Sequence, residues 1–184
     1  MGLEDIASIL EQGGVGILPT DTLYGLVGSA NSQTAVERIY KLKKRDKSKP
    51  LIILISDIKD LSKFGVELSP TMKQKLNEWW PGPVSAILEG VSDEFEYLHR
   101  GGGSLAFRLP KSGELQKLLK ETGPLVAPSA NPEGKEPARN IAEAWQYFGE
   151  EVDFYIDGGD LRGKSSVLIK LKPDGASDFL RGKL

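Results

Sequence analysis

The feature that constrains the fold most is an uninterrupted apolar run at residues 51–55, Leu-Ile-Ile-Leu-Ile, bounded by Pro50 and Ser56. Five residues are the length of a strand rather than of a helix, and branched side chains favour extended backbone. A strand with one solvent-exposed face would alternate apolar and polar residues, and this one does not. The run therefore predicts a strand inside a sheet whose two faces are both covered, which requires a layered domain of strands and helices.

Further short apolar runs alternate with helical periodicities along the chain. The predicted strands lie at residues 15–18, 23–27, 51–55, 84–88, 105–109, 125–127, 154–156, 166–171 and 179–180. The predicted helices lie at residues 3–10, 33–43, 70–80, 115–119 and 140–148. Some strands follow one another with no helix between them, so we expect a mixed sheet. At 184 residues, the expectation is one domain over residues 1–184, of the α/β class (α+β type).

Composition excludes several kinds of chemistry. The chain has no cysteine, so a disulfide framework, a thiolate nucleophile and a thiolate zinc site are excluded. Its single histidine, His99, is expected in a surface loop, which argues against a histidine metal cluster or a serine–histidine relay. The formal net charge of −2 argues against a strongly basic nucleic-acid binder. Because there is neither a membrane-length apolar run nor a signal-peptide pattern, we expect a cytoplasmic protein with no membrane partner.

The densest charge lies in the basic segment, residues 41–50, which has six cations in its first nine positions. Three interpretations remain open. The segment is a solvated helix end, which the helix dipole favours, or a nucleic-acid patch. Alternatively it binds an anion, because it directly precedes a buried strand, and α/β sheets bind ligands at such edges.

Two polar loops are candidates for ligand binding. Residues 19–25, Pro-Thr-Asp-Thr-Leu-Tyr-Gly, and residues 129–134, Ser-Ala-Asn-Pro-Glu-Gly, each follow a predicted strand. Their hydroxyl and amide groups can donate hydrogen bonds to phosphate or carboxylate oxygens. Ordinary turns rich in Ser, Asn, Pro and Gly explain both loops equally well.

Residues 158–165, Gly-Gly-Asp-Leu-Arg-Gly-Lys-Ser, match the phosphate-loop pattern G-x-x-x-x-G-K-[ST]. A phosphate loop must open a helix whose N-terminus faces the phosphates. The residues that follow, 166–171, alternate in polarity and are typical of a strand, and no Walker B strand is evident downstream. The sequence therefore predicts that the match is not a phosphate loop, and a P-loop NTPase is the least favoured function.

Seven segments, taken in order, resemble the YrdC family and span nearly the whole chain. They begin with PTDTLYGL at 19–26, Lys-x-Arg at 43–45 with Lys-Pro-Leu at 49–51, and WPGPV at 80–84. They continue with LAFRLP at 105–110, PSAN at 128–131, Ser-Ser-Val at 165–167 and Leu-Arg-Gly at 180–182. Two departures are Ser166, where the family has Thr, and Pro137, where it has a hydroxyl residue that contacts ATP. The resemblance implies a three-layer domain with a twisted, mixed sheet of about seven strands flanked by helices.

The resemblance also implies a reaction. Family members condense L-threonine, bicarbonate and ATP into threonylcarbamoyl-adenylate, which a downstream tRNA threonylcarbamoyl transferase uses. No protein nucleophile is required, so catalysis depends on positioning and on charge stabilisation, which Lys, Arg, Ser, Thr and Asn side chains supply. Magnesium is expected to arrive with ATP, and no protein-bound metal is expected, because Asp21 and Asp46 are the only carboxylates in the motifs.

Matching the motifs residue by residue implies two groups of ligands. The ATP-binding residues would be Lys43, Arg45, Lys49, Ser104, Ser129, Asn131 and Arg181. Lys43 and Arg45 would position the triphosphate. The threonine-binding residues would be Thr22, Tyr24, Arg108 and Ser165. Strand alternation places Arg108 on the face opposite Leu105 and Phe107, where its planar fork suits a carboxylate.

Two alternatives within the same fold stay open. One is an RNA-binding module without ATP turnover, in which the basic segment contacts tRNA or double-stranded RNA. The other is the carbamoyl-adenylate chemistry of hydrogenase maturation, although the acylphosphatase and zinc-finger parts of that enzyme have no counterpart in this sequence.

Overall fold

A computed structural model describes residues 1–183 and contains one nine-stranded sheet with helices on both faces. The helices are α1 Leu3–Glu11, α2 Gln33–Lys43, α3 Pro70–Trp79, α4 Glu96–His99, α5 Gly113–Thr122 and α6 Ile141–Phe148. The strands are β1 Val15–Pro19, β2 Tyr24–Ser29, β3 Ile52–Leu54, β4 Val84–Glu89, β5 Ser104–Arg108, β6 Leu125–Val126, β7 Phe154–Tyr155, β8 Val167–Leu171 and β9 Ser177–Arg181. Three 3₁₀ turns, Ile58–Phe64, Asp93–Phe95 and Gly149–Glu151, complete the described elements.

The strands lie in the order β7-β1-β2-β6-β3-β5-β4-β8-β9. The pairs β1–β7, β3–β5 and β4–β8 are parallel, and the other neighbours are antiparallel. The sheet is therefore mixed, as predicted, and β3, the strand that the apolar run predicts, lies at its centre. The nine strands correspond to the nine predicted segments and exceed the about seven that the family resemblance implies; β7 and β9, which are short or exposed, lie at the two edges.

The two faces of the sheet support separate apolar layers. Ile53 of β3 points into the larger cluster, with side chains of α2, α3, α4 and α6. The next residue, Leu54, points into the other cluster, with side chains of α1 and α5. Both are fully buried, and burial of each such side chain contributes roughly 1.5–3 kcal/mol. This arrangement explains why the run is apolar at every position and confirms the three-layer prediction.

Capping residues begin the helices where the sequence predicts. The side chains of Ser32, Ser69 and Asn140 accept from backbone N–H groups of the first turns of α2, α3 and α6. Helix α2 ends with Lys44 in the left-handed conformation, at φ 50°. The turn at Lys44 ends the helix, so the rest of the basic segment runs as a loop toward β3.

The prediction for His99 is wrong. Its side chain is buried at the end of α4, and Nδ1 accepts from the backbone N–H groups of Gly101 and Gly103, both at 3.2 Å. The short helix α4, which has only one turn, was too brief for a periodic signal. His99 therefore shapes the glycine turn before β5.

No helix among the described residues is long and apolar enough to cross a membrane.

Candidate functional site

The candidate site lies on a polar part of one sheet face that no helix covers. Helices α1 and α5 cover this face over β1, β2, β3 and β6. Arg108, at the end of β5, lies in register with Leu54 and so shares the face, beyond the two helices. Nearby, the hydroxyls of Ser85 on β4 and Ser166 before β8 are 2.9 Å apart. Polar side chains thus occupy the part of the sheet that no helix covers.

A small hollow of about 70 Å³ opens on this stretch. The turn between β1 and β2, the loop after β6 and the segment before β8 contribute to its walls. Its polar lining residues are Thr20, Thr22, Tyr24, Arg108, Ser129, Ser165, Ser166 and Arg181. A space of this size suits a small polar molecule, so a larger ligand would have to extend out of it.

The turn between β1 and β2 is held by the hydroxyl of Thr20. This hydroxyl donates to Leu23 O at 2.7 Å and accepts from the backbone N–H groups of Thr22 and Leu23, both at 3.2 Å. Such local bonds stabilise a turn without help from the rest of the fold. They also leave the Thr22 hydroxyl 3.1 Å from that of Thr20, so two hydroxyls lie side by side in the wall of the hollow.

Arg108 is the central charge of the hollow and is only 4% exposed. Its Nη1 donates to the Thr22 hydroxyl at 3.0 Å, and its Nη2 donates to the Thr20 hydroxyl at 3.3 Å. Nη2 also lies 3.2 Å from Asp21 Oδ1. Burial lowers the pKa of Arg108, Asp21 opposes that shift, and Arg181 adds to it. The Nε is buried and has no hydrogen-bond partner in the described structure.

Arg181 and Arg45 continue the positive charge away from Arg108. Arg181 Nε donates to Ser166 O at 3.1 Å, and its Nη2 donates to the Ser166 hydroxyl at 3.3 Å. Burial lowers the pKa of Arg181, and the neighbouring guanidinium of Arg45 lowers it further. Because these like charges are close enough to disfavour one another, the arrangement favours an anion that lies across them.

Lys43 supports the site from within the protein. The side chain is 2% exposed, and Nζ donates to Ser129 O at 2.5 Å and to Asn131 O at 2.6 Å. The Ser129 hydroxyl in turn donates to Asn131 Oδ1 at 2.6 Å. Burial lowers the pKa of Lys43 from 10.5 to about 7, Arg45 adds to the shift, and Glu133 opposes it. The ammonium is therefore committed to the loop that carries Ser129 and Asn131.

Glu133, which sequence reasoning did not single out, closes the same loop onto the basic segment. Its Oε1 lies 2.6 Å from Lys49 Nζ, and its Oε2 accepts from Asp46 N–H at 2.9 Å. Its backbone N–H donates to Lys43 O at 2.6 Å. The hydrogen bond from Lys49 lowers the pKa of Glu133, and the Asp46 N–H lowers it further. The sequence did contain a signal for Glu133, because an acidic residue is unusual in a loop that is otherwise typical of anion binding.

Tyr24 and Ser165, which the family resemblance assigns to threonine, both line the hollow. The Tyr24 hydroxyl donates to Gly159 O and accepts from Gly158 N–H, both at 2.8 Å. Burial raises the pKa of Tyr24. The tyrosine therefore anchors the glycine-rich segment that leads to Ser165.

Five predicted nucleotide residues do not line the hollow: Lys43, Arg45, Lys49, Ser104 and Asn131. Ser104 is on the same strand and face as Arg108 but four residues earlier, roughly 13 Å away at 3.3 Å per residue. Arg45 folds back on its own segment, where Nε donates to Lys49 O at 3.1 Å and Nη2 to Pro50 O at 3.2 Å. A ligand that reaches both groups must extend along the open sheet face.

The glycine-rich segment 158–165 has no helix, and β8 begins at Val167. The prediction that it is not a phosphate loop is confirmed. A Cβ on Gly163 would lie 2.1 Å from Thr22 O, and one on Gly158 would lie 2.6 Å from a carbon of Pro19. These glycines let the segment pack against the turn between β1 and β2, so packing explains the pattern without a phosphate.

No group of three or more side chains suited to a metal ion occurs within residues 1–183. The two motif carboxylates are already engaged. Asp21 Oδ2 accepts from Lys111 N–H at 3.0 Å, and Asp46 Oδ1 accepts from the N–H and hydroxyl of Ser48 at 2.9 and 2.8 Å. Neither forms part of a cage of oxygen ligands.

Comparison with protein families identifies relatives of the whole chain. A family model for Sua5, YciO and YrdC proteins, described as telomere recombination, matches residues 8–182. A threonylcarbamoyl-AMP synthase of Cellvibrio japonicus is 30% identical over 179 residues, which are 97% of this chain and 91% of that protein.

Solved structures give the same result. Sua5 of Pyrococcus abyssi, complexed with L-threonine, superposes with a TM-score of 0.87 at 30% identity over 97% of this chain and 53% of that one. This chain thus spans about half of that protein. YciO of Escherichia coli superposes with a TM-score of 0.86 over 97% of this chain and 87% of that one. At 24% identity the likeness to YciO concerns the fold alone.

Proposed function

We propose a function for this chain from its family, because the chain belongs to the Sua5/YciO/YrdC family. The proposed activity is the synthesis of threonylcarbamoyl-adenylate and pyrophosphate from L-threonine, bicarbonate and ATP, for the threonylcarbamoyl-adenosine modification of tRNA. Relatives at about 30% identity are threonylcarbamoyl-AMP synthases, and one of them was crystallised with L-threonine. Within this chain, the observation that carries the proposal is the buried fork of Arg108 in a hollow lined by hydroxyls.

Threonine would lie in the hollow. Burial of a guanidinium is costly, and Asp21 lies beside Arg108 only at Nη2. The α-carboxylate of an amino acid would supply a second anionic partner for Arg108 at the wall of the hollow. Thr22 and Ser165 would hold the polar groups of threonine, and Tyr24 would close the wall.

ATP would extend out of the hollow along the open sheet face. Its phosphates would lie across Arg181 and Arg45, whose charges are held near one another. Lys49 would join them, and Ser104 would be reached farther along β5. Ser129 and Asn131 would contact the nucleotide from the loop that Lys43 holds. Lys43 itself would act through this loop, because its ammonium is buried away from the ligand space.

The chemistry needs no protein nucleophile. The neutral amine of threonine attacks the carbon of bicarbonate, and loss of water gives an N-carboxylate. An oxygen of this carboxylate then attacks the α-phosphorus of ATP, and pyrophosphate leaves with the electron pair of the broken P–O bond. The protein holds two mutually repelling anions in line and stabilises the charge that develops on the phosphate, which is the work of fixed cations and hydroxyls.

Magnesium would be carried by the phosphates of ATP. It would neutralise charge on the phosphates. Asp21 and Asp46 would take no part in holding it, since both accept hydrogen bonds from their own surroundings.

The proposal also covers the organisation, location and partners of the chain. The chain works as one domain, in the cytoplasm, and passes its adenylate to a tRNA threonylcarbamoyl transferase. A tRNA contact would use the outward cations of the basic segment, such as Lys44. RNA binding is not proposed as the main function, because Lys43 is turned inward and Lys49 pairs with Glu133.

The experiment is release of pyrophosphate from ATP, measured with threonine and bicarbonate present and with each omitted, together with mass spectrometry of the nucleotide product. We expect release that depends on both compounds and a product with the mass of threonylcarbamoyl-adenylate. Release that is unchanged without threonine would contradict the assigned reaction. Salt-sensitive RNA binding without any turnover would instead favour the RNA-binding module.

A further inference from the structure

The turn between β1 and β2 surrounds Arg108 with one oxygen from each of three consecutive residues. Thr20 and Thr22 supply hydroxyls, and Asp21 supplies a carboxylate oxygen 3.2 Å from Nη2. The side chains of Arg108 and Asp21 are 5% and 11% exposed. Within residues 1–183, Asp21 is the single ion-pair partner of Arg108.

Asp21 lies behind Arg108 rather than in the hollow. It is not among the residues that line the hollow, whereas Thr20 and Thr22 are. Its second oxygen, Oδ2, accepts from Lys111 N–H at 3.0 Å. The carboxylate of Asp21 therefore connects the turn between β1 and β2 to the segment that follows β5. Its hydrogen bond to Lys111 fixes its position independently of Arg108.

The negative charge of Asp21 also opposes the repulsion between Arg108 and Arg181. Arg181 lies close enough to disfavour the charge of Arg108, and Arg45 acts on Arg181 in the same sense. A long arginine side chain under such repulsion would lose its ordered position and sample others, unless an anion held it. Asp21 is that anion.

We propose that Asp21 is a positioning residue for the amino-acid substrate: its carboxylate holds the fork of Arg108 in the wall of the hollow before threonine binds. The inference rests on the proposed function. It assigns Asp21 no contact with threonine and no part in magnesium binding, since Oδ2 accepts from Lys111 N–H and Oδ1 is buried 3.2 Å from Arg108 Nη2, an ion-pair contact without a hydrogen bond.

The test is Asp21→Asn in the full chain, because the amide keeps an oxygen for Lys111 N–H and replaces the charged oxygen beside Arg108 with a neutral NH₂ group. We expect the threonine KM to rise about 10-fold, as it would if Arg108 occupied its productive position in one tenth of the molecules. We expect kcat, and the ATP Kd measured by calorimetry without threonine, to stay within 2-fold. Asp160→Asn is the matched control, since Asp160 pairs with Arg162, which is exposed and outside the hollow.

Two further measurements separate positioning from damage to the fold. In an Arg108→Lys background, Asp21→Asn should add little to the threonine KM, because both changes remove the same interaction. In nitrogen-15 NMR spectra, the Nε–H signal of Arg108 should be sharp in the wild type and broadened in Asp21→Asn. The NMR measurement needs no turnover, so it tests Asp21 even if the proposed reaction fails.

Several results would overturn the inference. These are an unchanged threonine KM, equal losses of threonine and ATP affinity, additive effects in the double variant, or an unchanged Nε–H signal. If Asp21→Asn does not fold, Asp21→Glu replaces it, because the extra methylene displaces the charge from Nη2 and the same pattern is expected.

Discussion

Replacement of Lys43 by methionine is the most informative perturbation of the nucleotide side of the site. Methionine keeps the length and apolar character of the lysine stem and removes the ammonium. The two short bonds from Nζ to Ser129 O and Asn131 O would be lost, at 2.5 and 2.6 Å. We expect the loop to lose its fixed position and the ATP KM to rise at least 10-fold, the effect of about 1.4 kcal/mol.

The effect on stability has two opposing parts. Each carbonyl left without a partner costs roughly 1–3 kcal/mol. Removing a buried charge, however, is often neutral or stabilising, because the desolvation cost disappears with it. At pH 6 we therefore expect the free energy of unfolding of Lys43→Met to lie within about 2 kcal/mol of wild type. A large loss of ATP affinity with little loss of stability would identify a positioning role.

The pH dependence has a definite sign. Burial lowers the pKa of Lys43 from 10.5 to about 7. Above pH 7 the unfolded chain therefore binds more protons than the folded one, and the free energy of unfolding rises with pH. The slope is about 1.4 kcal/mol per pH unit, so the wild type should gain roughly 2–3 kcal/mol over Lys43→Met between pH 7 and 9. Below pH 7 the difference should be flat.

The assays are urea unfolding of both proteins from pH 6 to 9 and ATP calorimetry at pH 6.5. Lys41→Met is the control, because Lys41 is exposed and lies in the last turn of the same helix. It should behave as wild type in both assays. A stability difference that falls as pH rises would refute the buried, pKa-lowered ammonium, and an unchanged ATP KM would refute its support of the loop.

Three other predictions concern single contacts of the site. Arg45→Ala should lower turnover 100-fold or more, on the order of the ~2.7–4 kcal/mol that one charge-stabilising donor supplies. Lys164→Ala, in the glycine-rich segment, should keep turnover within a few-fold of wild type. The opposite ranking in pyrophosphate release would favour the phosphate-loop interpretation again. Arg108→Lys should raise the threonine KM roughly 10- to 100-fold, the loss of one charge-assisted bond of ~1.5–3 kcal/mol, and collapse of ATP binding instead would reverse the division of the site. Glu133→Gln should lower the ATP KM by up to about 5-fold, because it frees Lys49 from an exposed ion pair, and such pairs are weak. Glu136→Gln is the control, since Glu136 is exposed and close by in the chain. A higher ATP KM would show that Glu133 lies on the ligand side.

The sequence predicted those features that depend on neighbours in the chain. Helix α2 begins at its serine cap and ends at Lys43 as predicted, because the cap, the periodicity and the basic end all lie within a few turns. The face of Arg108 was also predictable, since alternation along one strand decides it. Motif order added the set of residues that line the hollow, including Thr22 and Ser165.

Features that depend on distant partners could not be predicted. The pattern gave Lys43, Arg45 and Lys49 as equivalent cations of one segment, but the structure gives them different surroundings. Lys43 points into the protein because α2 packs it under the loop after β6, whereas Lys49 stays half-exposed and meets Glu133 from that loop. A difference set by packing across the sheet has no local signal, and the same reason explains the burial of His99.

The distribution of charge links the parts of this site. Two of its arginines have lowered pKa values because burial and neighbouring cations disfavour their charge, and Lys43 shows the same cause. Among residues 1–183, Asp21 beside Arg108 and Glu133 in the loop after β6 place negative charge next to these cations. Holding like charges together lowers the free energy of unfolding, and anions that bind across those charges raise it again. The proposed substrates are anions that repel one another in water, so a protein that has already brought the opposing cations together lowers the barrier to their meeting.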